Sequence, residues 1–243
     1  MRSLVLSDVH GNLEALEATL ADAPPCDAIL ILGDLVGYGA DPNAVIDRVR
    51  GLRRPAIVRG NHDKVASGVA SVDTFNHLAR RAIMWTSDRL TPDNRVWLAS
   101  LPHGPVIVDD GVEICHGSPV DEDQYIFDDA DARRALDATR RPLCLFGHTH
   151  VPAVFRLLGE TVAMTPVTAG TVIELRKGSR YLVNCGAVGQ PRDGDPRAAF
   201  GVVDHGAGTV TFSRVAYDVA TAQAKMLAAG LPDALARRLS VGR

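Results

Sequence analysis

The sequence predicts an α/β fold in which two β-sheets pack together and carry helices on their outer sides. Three observations support this fold class. Over residues 1–63, short apolar segments alternate with helical ones, which is typical of βαβ units and a parallel sheet. Residues 151–215 consist mainly of strand-forming segments separated by Gly and Pro, and the pattern becomes helical again from Asp218. The 243 residues, 46% of them hydrophobic, are enough to bury a substantial core.

The first three predicted strands each end in polar residues. The segment SLVLS precedes Asp8, the strand Ala28–Leu32 ends in Gly-Asp, and the segment PAIVRG precedes Asn61. Helices are predicted between them, because NLEALEATLAD has leucines at helical spacing and DPNAVIDRVRGL begins with an Asp N-cap followed by Pro42. This order predicts parallel strands whose carboxyl ends lie at one edge of a sheet.

The later elements follow from equally local patterns. Residues 72–100 are predicted to be helical, PVIVDDGVEICHG to form a hairpin around Asp-Asp-Gly, and DARRALDAT to form a helix. RPLCLFGHTH is a further strand with a polar end, and the last segment contains two amphipathic helices separated at Gly230–Pro232. Since no repeat or linker interrupts the chain, residues 1–243 are predicted to form one domain, with the helices of residues 218–240 packing on its core.

Composition and charge argue against several functional classes. The net charge of -3 provides no overall attraction for nucleic acid or an anionic membrane, and the paired arginines are dispersed, mostly on predicted helices. No segment approaches the roughly 18 apolar residues of a membrane span, and the apolar start of the chain is too short for a signal peptide. Four scattered cysteines are typical of buried thiols in an intracellular protein: Cys26, Cys115, Cys144 and Cys185. A cytoplasmic protein is therefore expected, without a membrane segment or a strong nucleic-acid patch.

Five separated segments place metal-binding residue types at predicted strand ends. These residues are Asp8 and His10, Asp34, Asn61 with His62 and Asp63, His116, and His148 with His150. Any one of them could be a helix cap or a turn residue, but ligands of open α/β sheets bind at the carboxyl ends of the strands. Imidazole mixed with oxygen ligands favours Mn, Fe, Zn or Ni over Mg or Ca. Seven of these nine side chains, without His62 and Asp63, are enough for two metal ions that share one carboxylate. In an extended segment His148 and His150 would point to the same side, where each could bind a different ion.

The motifs DVH, GD, GNHD, HGS and GHTH, in this order, resemble those of the calcineurin-like metallophosphoesterase superfamily, in particular its small bacterial and archaeal phosphodiesterase branch. The segment GAVGQPRDGDPRAAFGVVD extends the resemblance to about residue 204. The resemblance implies a four-layer α/β/β/α fold and a metal-dependent phosphoric ester hydrolase. Phosphodiesters are the expected substrates, with phosphomonoesters and nucleotides as further classes, and Mn is the metal expected to support activity.

The resemblance also implies a role for each motif residue. Two divalent or trivalent transition-metal ions would be bound, the first by Asp8, His10 and His150 and the second by Asn61, His116 and His148, with Asp34 bridging them. A hydroxide between the metals would attack phosphorus. His62 would protonate the leaving oxygen or hold the phosphate, and Asp63 would orient the His62 ring.

Two segments depart from patterns within this superfamily. GDLVGYGADP lacks the acidic and basic pair that follows Gly-Asp in its serine/threonine protein phosphatases, which argues against that function. In NCGAVGQPR, Cys185 and Ala187 replace a Pro and a Ser, so a hydroxyl contact from this loop is absent. Arg192 in the same loop could pair with a phosphate, or it could form a surface ion pair with Asp193 or Asp195.

Tyr38 and Tyr125 are predicted near the rim of the site, where they would either stack on a base or aryl group or serve in packing. A non-catalytic binding scaffold is a competing hypothesis, disfavoured because no metal ligand is missing. A metallo-β-lactamase-like hydrolase is disfavoured because the chain lacks a His-x-His-x-Asp-His cluster. The sequence leaves open the substrate and the oligomeric state, for which a homodimer through the last two helices is one alternative.

Overall fold

Two mixed sheets of six strands each form the centre of the structure, a computed structural model that describes residues 1–243. Elements are numbered in chain order. The first sheet contains, from edge to edge, Ala56–Ile57 (β3), Ala28–Ile31 (β2), Arg2–Leu6 (β1), Ala198–Asp204 (β11), Thr209–Val215 (β12) and Val172–Glu174 (β9). The second contains Val106–Ile107 (β4), Val112–Ile114 (β5), Leu143–Leu145 (β6), Arg180–Asn184 (β10), Ala153–Leu158 (β7) and Thr161–Thr165 (β8). The predicted class, an α/β fold with two sheets, is confirmed.

Eight helices surround the sheets. They are Leu13–Asp22 (α1), Pro42–Arg50 (α2), Asn61–Ala66 (α3), His77–Arg89 (α4), Pro92–Ala99 (α5), Asp129–Ala138 (α6), Val219–Ala228 (α7) and Asp233–Leu239 (α8). The helical stretch predicted over residues 72–100 is therefore two helices. It is interrupted before Pro92, because proline disfavours helical geometry in the residue that precedes it, and the Thr91 side chain caps α5 by accepting a hydrogen bond from the Asn94 amide. Helix α3, which begins at the motif residue Asn61, was not predicted.

The core is divided into layers by the two sheets. Val5 and Leu30 of the first sheet pack with Ile114 and Leu145 of the second in the apolar layer between them. Helices α1 and α2 cover the outer side of the first sheet, and α6 covers the outer side of the second through residues such as Leu136. These are the four α/β/β/α layers implied by the resemblance.

Strand direction determines where the polar strand ends meet. Strands β1, β2 and β3 are mutually parallel, and so are β5, β6 and β10. Their carboxyl ends carry the loops that contain the motif residues, and the layer between the sheets brings both sets of loops to one end of the sandwich. The site is therefore assembled from both sheets.

The two C-terminal helices pack against the loop after β2 and against α4. Met226 and Leu235 lie in an apolar cluster with Tyr38 and Ala82, and the Lys225 ammonium lies 2.9 Å from a carboxylate oxygen of Asp41. No helix has the length and apolar character required to cross a membrane. The four cysteines are free thiols; three are buried as expected, whereas Cys26 is only half-buried.

Candidate metal centre

The backbone is strained where the motif residues lie. Seven non-glycine residues have positive φ angles, and all except Arg54 belong to this region: Asp8, His10, Asp34, Tyr38, His148 and His150. Such angles cost free energy for residues with a Cβ and concentrate at functional sites, where the surrounding structure maintains them. The segment with His148 and His150 was expected to be extended, which is wrong, because both residues adopt left-handed geometry with φ of 67° and 61°.

Two glycines of this region cannot be replaced without displacing a motif residue. Gly37 has a φ of 94°, and a Cβ there would collide with Nδ1 of His62. A Cβ on Gly60 would collide with the carboxylate of Asp34. The small residues next to the motifs therefore allow the loops to approach closely, since a Cβ at either position has no space.

Three predicted ligands of the first metal lie together with Asp34. The Nε2 atoms of His10 and His150 are 3.0 Å apart, and Nε2 of His150 lies 3.3 Å from Oδ1 of Asp8. Nε2 of His10 lies 3.6 Å from Oδ2 of Asp34. All four side chains are buried. These nitrogen and oxygen atoms therefore surround a common point, as the ligands of one metal ion would.

The three residues predicted for the second metal lie on the other side of Asp34. Nε2 of His116 is 3.0 Å from Nδ1 of His148 and 3.2 Å from Oδ1 of Asn61. The same His116 nitrogen lies 3.4 Å from Oδ2 of Asp34. One oxygen of Asp34 thus faces both groups of histidines, which is the position of a bridging ligand.

Hydrogen bonds on the far side of each ring determine which nitrogen carries the proton. The other ring nitrogen of each of these four histidines lies 2.6–3.1 Å from a backbone carbonyl oxygen: that of Val36 for His10, Gln190 for His150, Leu32 for His116 and Asp123 for His148. A carbonyl oxygen only accepts hydrogen bonds, so that nitrogen is the donor and the inward nitrogen of a neutral ring has a lone pair. In the pairs His10–His150 and His116–His148 the two inward nitrogens are 3.0 Å apart. Two lone pairs at this distance repel each other unless a positive charge lies between them. The donor set and the buried carboxylates therefore fit two metal ions.

The pKa values agree with a site built for cations. Burial lowers the pKa of His10 and His150 well below the usual histidine value and that of His148 to about 3, which favours the neutral, metal-binding form. Burial acts in the same direction on His116, but the charge and hydrogen bond of Asp34, together with the charge of Asp8, outweigh it and raise the pKa of His116 to about 10. The environment of Asp34 therefore favours a positive charge at this point.

His62 stands at the edge of both groups without a ligand's contacts. Its backbone amide donates a hydrogen bond to Oδ1 of Asp34 at 2.9 Å, whereas its buried Nδ1 has no partner. The ring lies 4.8 Å from that of His10 and 4.7 Å from that of Phe75, centroid to centroid. Burial lowers the pKa of His62 to about 4. The ring is thus held by packing, with its unpartnered Nδ1 against Gly37 while the residue lines the cleft.

The expected role of Asp63 in orienting the His62 ring is wrong. Its carboxylate accepts hydrogen bonds from the Gly60 amide at 2.9 Å and the Val36 amide at 3.2 Å. The side chain of Asp63 points back toward the start of α3, since it caps that helix. Asp63 therefore joins the loop that carries Asp34 to the loop that carries Asn61.

Two tyrosines named from the sequence lie at the site. Tyr38 is buried, with its ring centroid 4.6 Å from that of His10 and 4.5 Å from that of His62. Tyr125 is 43% exposed, stacks on His148 at 3.8 Å and stacks on Phe127 at 5.2 Å. Tyr38 thus packs against the candidate ligands, whereas Tyr125 continues the site toward solvent.

Arg192 also lies at the site, and the alternative of an ion pair with a neighbouring carboxylate is wrong. Asp193 pairs with Arg214 and Asp195 pairs with Arg197. The Arg192 guanidinium instead donates to Oε1 of Gln190 at 3.0 Å, lies 5.7 Å from the centre of the Tyr38 ring, and has a buried Nε without a partner. It is therefore a cation beside the metal centre that no carboxylate neutralises.

Sequence reasoning missed Asn184, which supports the GHTH loop. Its Nδ2 donates to the Gly147 carbonyl at 2.8 Å and to the Thr149 hydroxyl at 3.0 Å. Cys185 and Ala187, the residues that depart from the family pattern, are both buried apolar side chains. Asn184 could have been found, because it is a polar residue at the end of a strand, like the motif residues.

A cleft of about 550 Å³ opens beside the centre. Its lining combines candidate ligands with apolar and aromatic side chains, among them Asn61, His62, Phe75, Tyr125 and His148. The cleft gives a small molecule access to His62 and to two candidate ligands of the second metal, Asn61 and His148.

Comparison with known proteins agrees with this geometry. Residues 1–207 match the family model of the calcineurin-like phosphoesterase superfamily domain. The chain belongs to the calcineurin-like phosphoesterase superfamily. It is similar to a metallophosphoesterase from Sphaerobacter thermophilus, with 44% identity, a TM-score of 0.89, and coverage of 100% of this chain and 99% of that one. An uncharacterized protein from Methanocaldococcus jannaschii is 35% identical over 98% of this chain and 97% of its own length.

A more distant relative shows that the fold extends beyond close sequence similarity. A hypothetical protein from Pyrococcus horikoshii is 21% identical, with a TM-score of 0.79 over 100% of this chain and 98% of that one. Membership in the calcineurin-like superfamily, together with the buried Asp and His clusters, makes the protein a metal-dependent phosphoric ester hydrolase with a dinuclear metal site. Its substrates are phosphoesters.

Proposed function

We propose that this calcineurin-like phosphoesterase hydrolyses phosphodiester bonds in small molecules, with residues 1–243 acting as one domain. The observation that carries the proposal is the pair of opposed imidazoles on each side of Asp34, both with nitrogen atoms 3.0 Å apart. In this proposal Asp8, His10 and His150 hold one metal ion, Asn61, His116 and His148 hold the other, and Asp34 is shared. When bound, the two ions would lower the pKa of water and offset negative charge on the phosphoryl oxygens.

His62 and Arg192 are the residues of the chain that would act directly on the substrate. His62 lines the cleft beside the candidate ligand His10, so its ring would contact a phosphoryl oxygen or deliver a proton to the leaving oxygen. Arg192 has a buried, unpartnered Nε on the side of the site next to Tyr38. Its guanidinium would pair with a phosphate oxygen.

The charges around the cleft favour a diester over a monoester. Lys64 is the basic residue that lines the cleft, and its ammonium is already held by Glu122 at 3.1 Å and Asp123 at 2.5 Å. Apart from Arg192 and the metal positions, the lining therefore adds no free positive charge for a phosphomonoester dianion, whereas a diester has a single negative charge and two organic substituents. Phe75 and Tyr125 offer the cleft's aromatic surface to such substituents.

Nucleotides and aryl esters are the substituents that this surface suits best. Tyr125 and Phe127 are 43% and 61% exposed and lie nearly parallel, 9° apart, so their rings provide an accessible stacking surface next to His148. Planar bases and aryl rings stack on exposed aromatic side chains. A protein phosphatase is disfavoured, because the second motif lacks its acidic and basic pair.

The test compares hydrolysis of bis-p-nitrophenyl phosphate and p-nitrophenyl phosphate by protein stripped with a chelator and reloaded with Mn²⁺, alongside metal analysis. We expect about two Mn²⁺ per chain, activity only after reloading, and a higher kcat/KM for the diester. Equal activity after complete metal removal would refute metal dependence. Two bound ions without hydrolysis of either compound would instead support the non-catalytic scaffold, and a preference for the monoester would refute the diester assignment.

A further inference from the structure

We propose that a second cavity, at the end of the sandwich opposite the metal centre, binds a phosphorylated organic anion such as a nucleotide. This basic cavity has a volume of about 600 Å³ and is lined by 17 residues, none of them acidic. Five are permanently cationic: Arg140, Arg141, Arg176, Lys177 and Arg180. Because the whole chain has more acidic than basic residues, 29 against 26, its average composition does not account for this clustering.

The positive charges of the basic cavity are largely left free by the protein. Arg140, Arg176 and Lys177 are exposed, and their side chains form no ion pair. Arg141 donates only to backbone carbonyl oxygens, and Arg180 reaches a carboxylate oxygen of Asp137 only at 3.8 Å.

The other titratable side chains of the lining are His205 and Tyr181, neither of them a carboxylate. Two carboxylates that contact the lining are engaged with groups of the protein. Asp109 lies 3.5 Å from a ring nitrogen of His205 and accepts hydrogen bonds from two backbone amides, and Glu113 accepts one from the Arg140 amide at 2.9 Å. The arginine and lysine charges are thus available to a ligand, and arginine pairs with phosphate through two hydrogen bonds.

The floor of the basic cavity defines the rest of the ligand. Val112, Leu143, Tyr181 and Val203 form its buried base, and the half-buried Leu175 and the exposed Pro142 present apolar surface to the cavity. A free inorganic anion would leave this apolar surface uncovered, whereas a phosphate ester with a ring or other apolar body would cover it and place its phosphates among the cations. The combination of floor and rim therefore indicates an organic phosphate.

The basic cavity is separate from the catalytic site. Strand β5 begins at Val112 in the floor of the cavity and is followed by the candidate ligand His116; β6 begins at Leu143 and is followed by the GHTH loop with His148. The two sites therefore lie at opposite ends of the same two strands. No residue lines both clefts.

Calorimetric titration with ADP tests the proposal, on protein kept in a chelator so that metal-dependent binding at the catalytic centre is excluded. The triple variant Arg140→Gln, Arg176→Gln, Lys177→Gln removes the three exposed charges. Its matched control, Arg80→Gln, Arg81→Gln, Arg237→Gln, removes three exposed and unpaired arginine charges from α4 and α8. We expect one ADP per chain, binding at least about tenfold weaker in the cavity variant and changed less than about twofold in the control. Both variants should keep the hydrolysis rate of the unmodified protein after reloading with Mn²⁺.

Further titrations separate the parts of the ligand. Adenosine, which lacks phosphate, and pyrophosphate, which lacks an apolar body, should each bind more weakly than ADP. Absence of saturable ADP binding, or equal loss in both triple variants, would overturn the proposal. If pyrophosphate binds as tightly as ADP, the organic part of the proposed ligand is refuted. If a single-stranded oligonucleotide binds but ADP does not, the cavity is part of a nucleic-acid-binding face instead. If Arg192→Ala abolishes ADP binding, the ADP site is at the metal centre.

Discussion

Replacement of His62 by Ala tests the proposed mechanism at the residue that the metals do not require. The backbone amide of His62, which donates to Asp34, is retained in any such variant, and the side chain makes no hydrogen bond through its buried nitrogen. The lost packing against Phe75 and Tyr38 should cost about 2 kcal/mol of stability, at the lower end for truncation of a buried side chain. Both groups of candidate ligands remain, so metal content should not change.

The expected loss in kcat depends on what the ring does. A hydrogen bond to a charged phosphoryl oxygen contributes about 1.5–3 kcal/mol, which corresponds to roughly 10–150-fold in rate. Proton donation to the leaving oxygen contributes about 10²–10⁴-fold. Nitrophenolate leaves readily without a proton and phenolate does not. We therefore expect a loss of about 10²-fold with bis-p-nitrophenyl phosphate and a larger one, toward about 10⁴-fold, with diphenyl phosphate.

The assay measures kcat for both diesters in His62→Ala and in Phe75→Leu, which alters the same packing without touching an ionisable group, with metal analysis of each. Equal losses for the two diesters would refute proton donation and leave only phosphate binding. An unchanged kcat would remove His62 from the mechanism, and loss of metal in the variant would mean that its role is structural.

Three further predictions concern the walls of the site. Gly37→Ala should lower the free energy of unfolding by about 1–2 kcal/mol because of the positive φ at this position, and it should lower kcat because the new Cβ displaces the His62 ring. Gly68→Ala is the control: Gly68 has a φ of 85° and open space around it, so this variant should lose stability but keep its kcat. Tyr125→Leu should raise KM for bis-p-nitrophenyl phosphate by roughly tenfold, since base or aryl stacking contributes about 1–3 kcal/mol, and an unchanged KM would refute stacking. Burial tends to raise the pKa of Glu122, but the hydrogen bonds that it accepts from Arg59 and Lys64 lower this pKa overall. Its contribution to stability is therefore complete above about pH 4.3 and is lost as the pH falls through the lower folded value. Glu122→Gln should thus lower Tm by about 5 °C at pH 7 and have a smaller effect near pH 3, and a pH-independent difference would contradict this.

Much of the site was predictable because each motif residue follows a short apolar strand. The periodicity that marks β1 or β6 also marks where the chain leaves the sheet, and a polar residue there is conspicuous. That logic located Asp8 and His148, and it would also have located Asn184. It could not locate Tyr125 relative to His148, because a stacking contact between two loops leaves no signature in either segment.

The errors about Asp63 and Arg192 share one cause, which is that local sequence does not specify side-chain partners. Asp63 stands next to His62 in the chain, yet its carboxylate turns to the Gly60 and Val36 amides because the helix that begins at Asn61 needs a cap. Arg192 is likewise adjacent to Asp193, but that carboxylate is taken by an arginine on β12. Neighbours along the chain are only candidates, and competition with distant groups decides between them.

The sequence by itself determined most of the strand and helix order, the family and the residue types that converge on the metal centre, because hydrophobic periodicity and motif residues are properties of short segments. Only the tertiary structure decided that the imidazole nitrogens face each other in two pairs, that one oxygen of Asp34 serves both, and that five dispersed basic residues from 140 to 180 line one cavity. Those arrangements depend on the packing of two sheets whose strands lie far apart in the chain. Distances between such segments are set by the shared core, so no segment contains them alone.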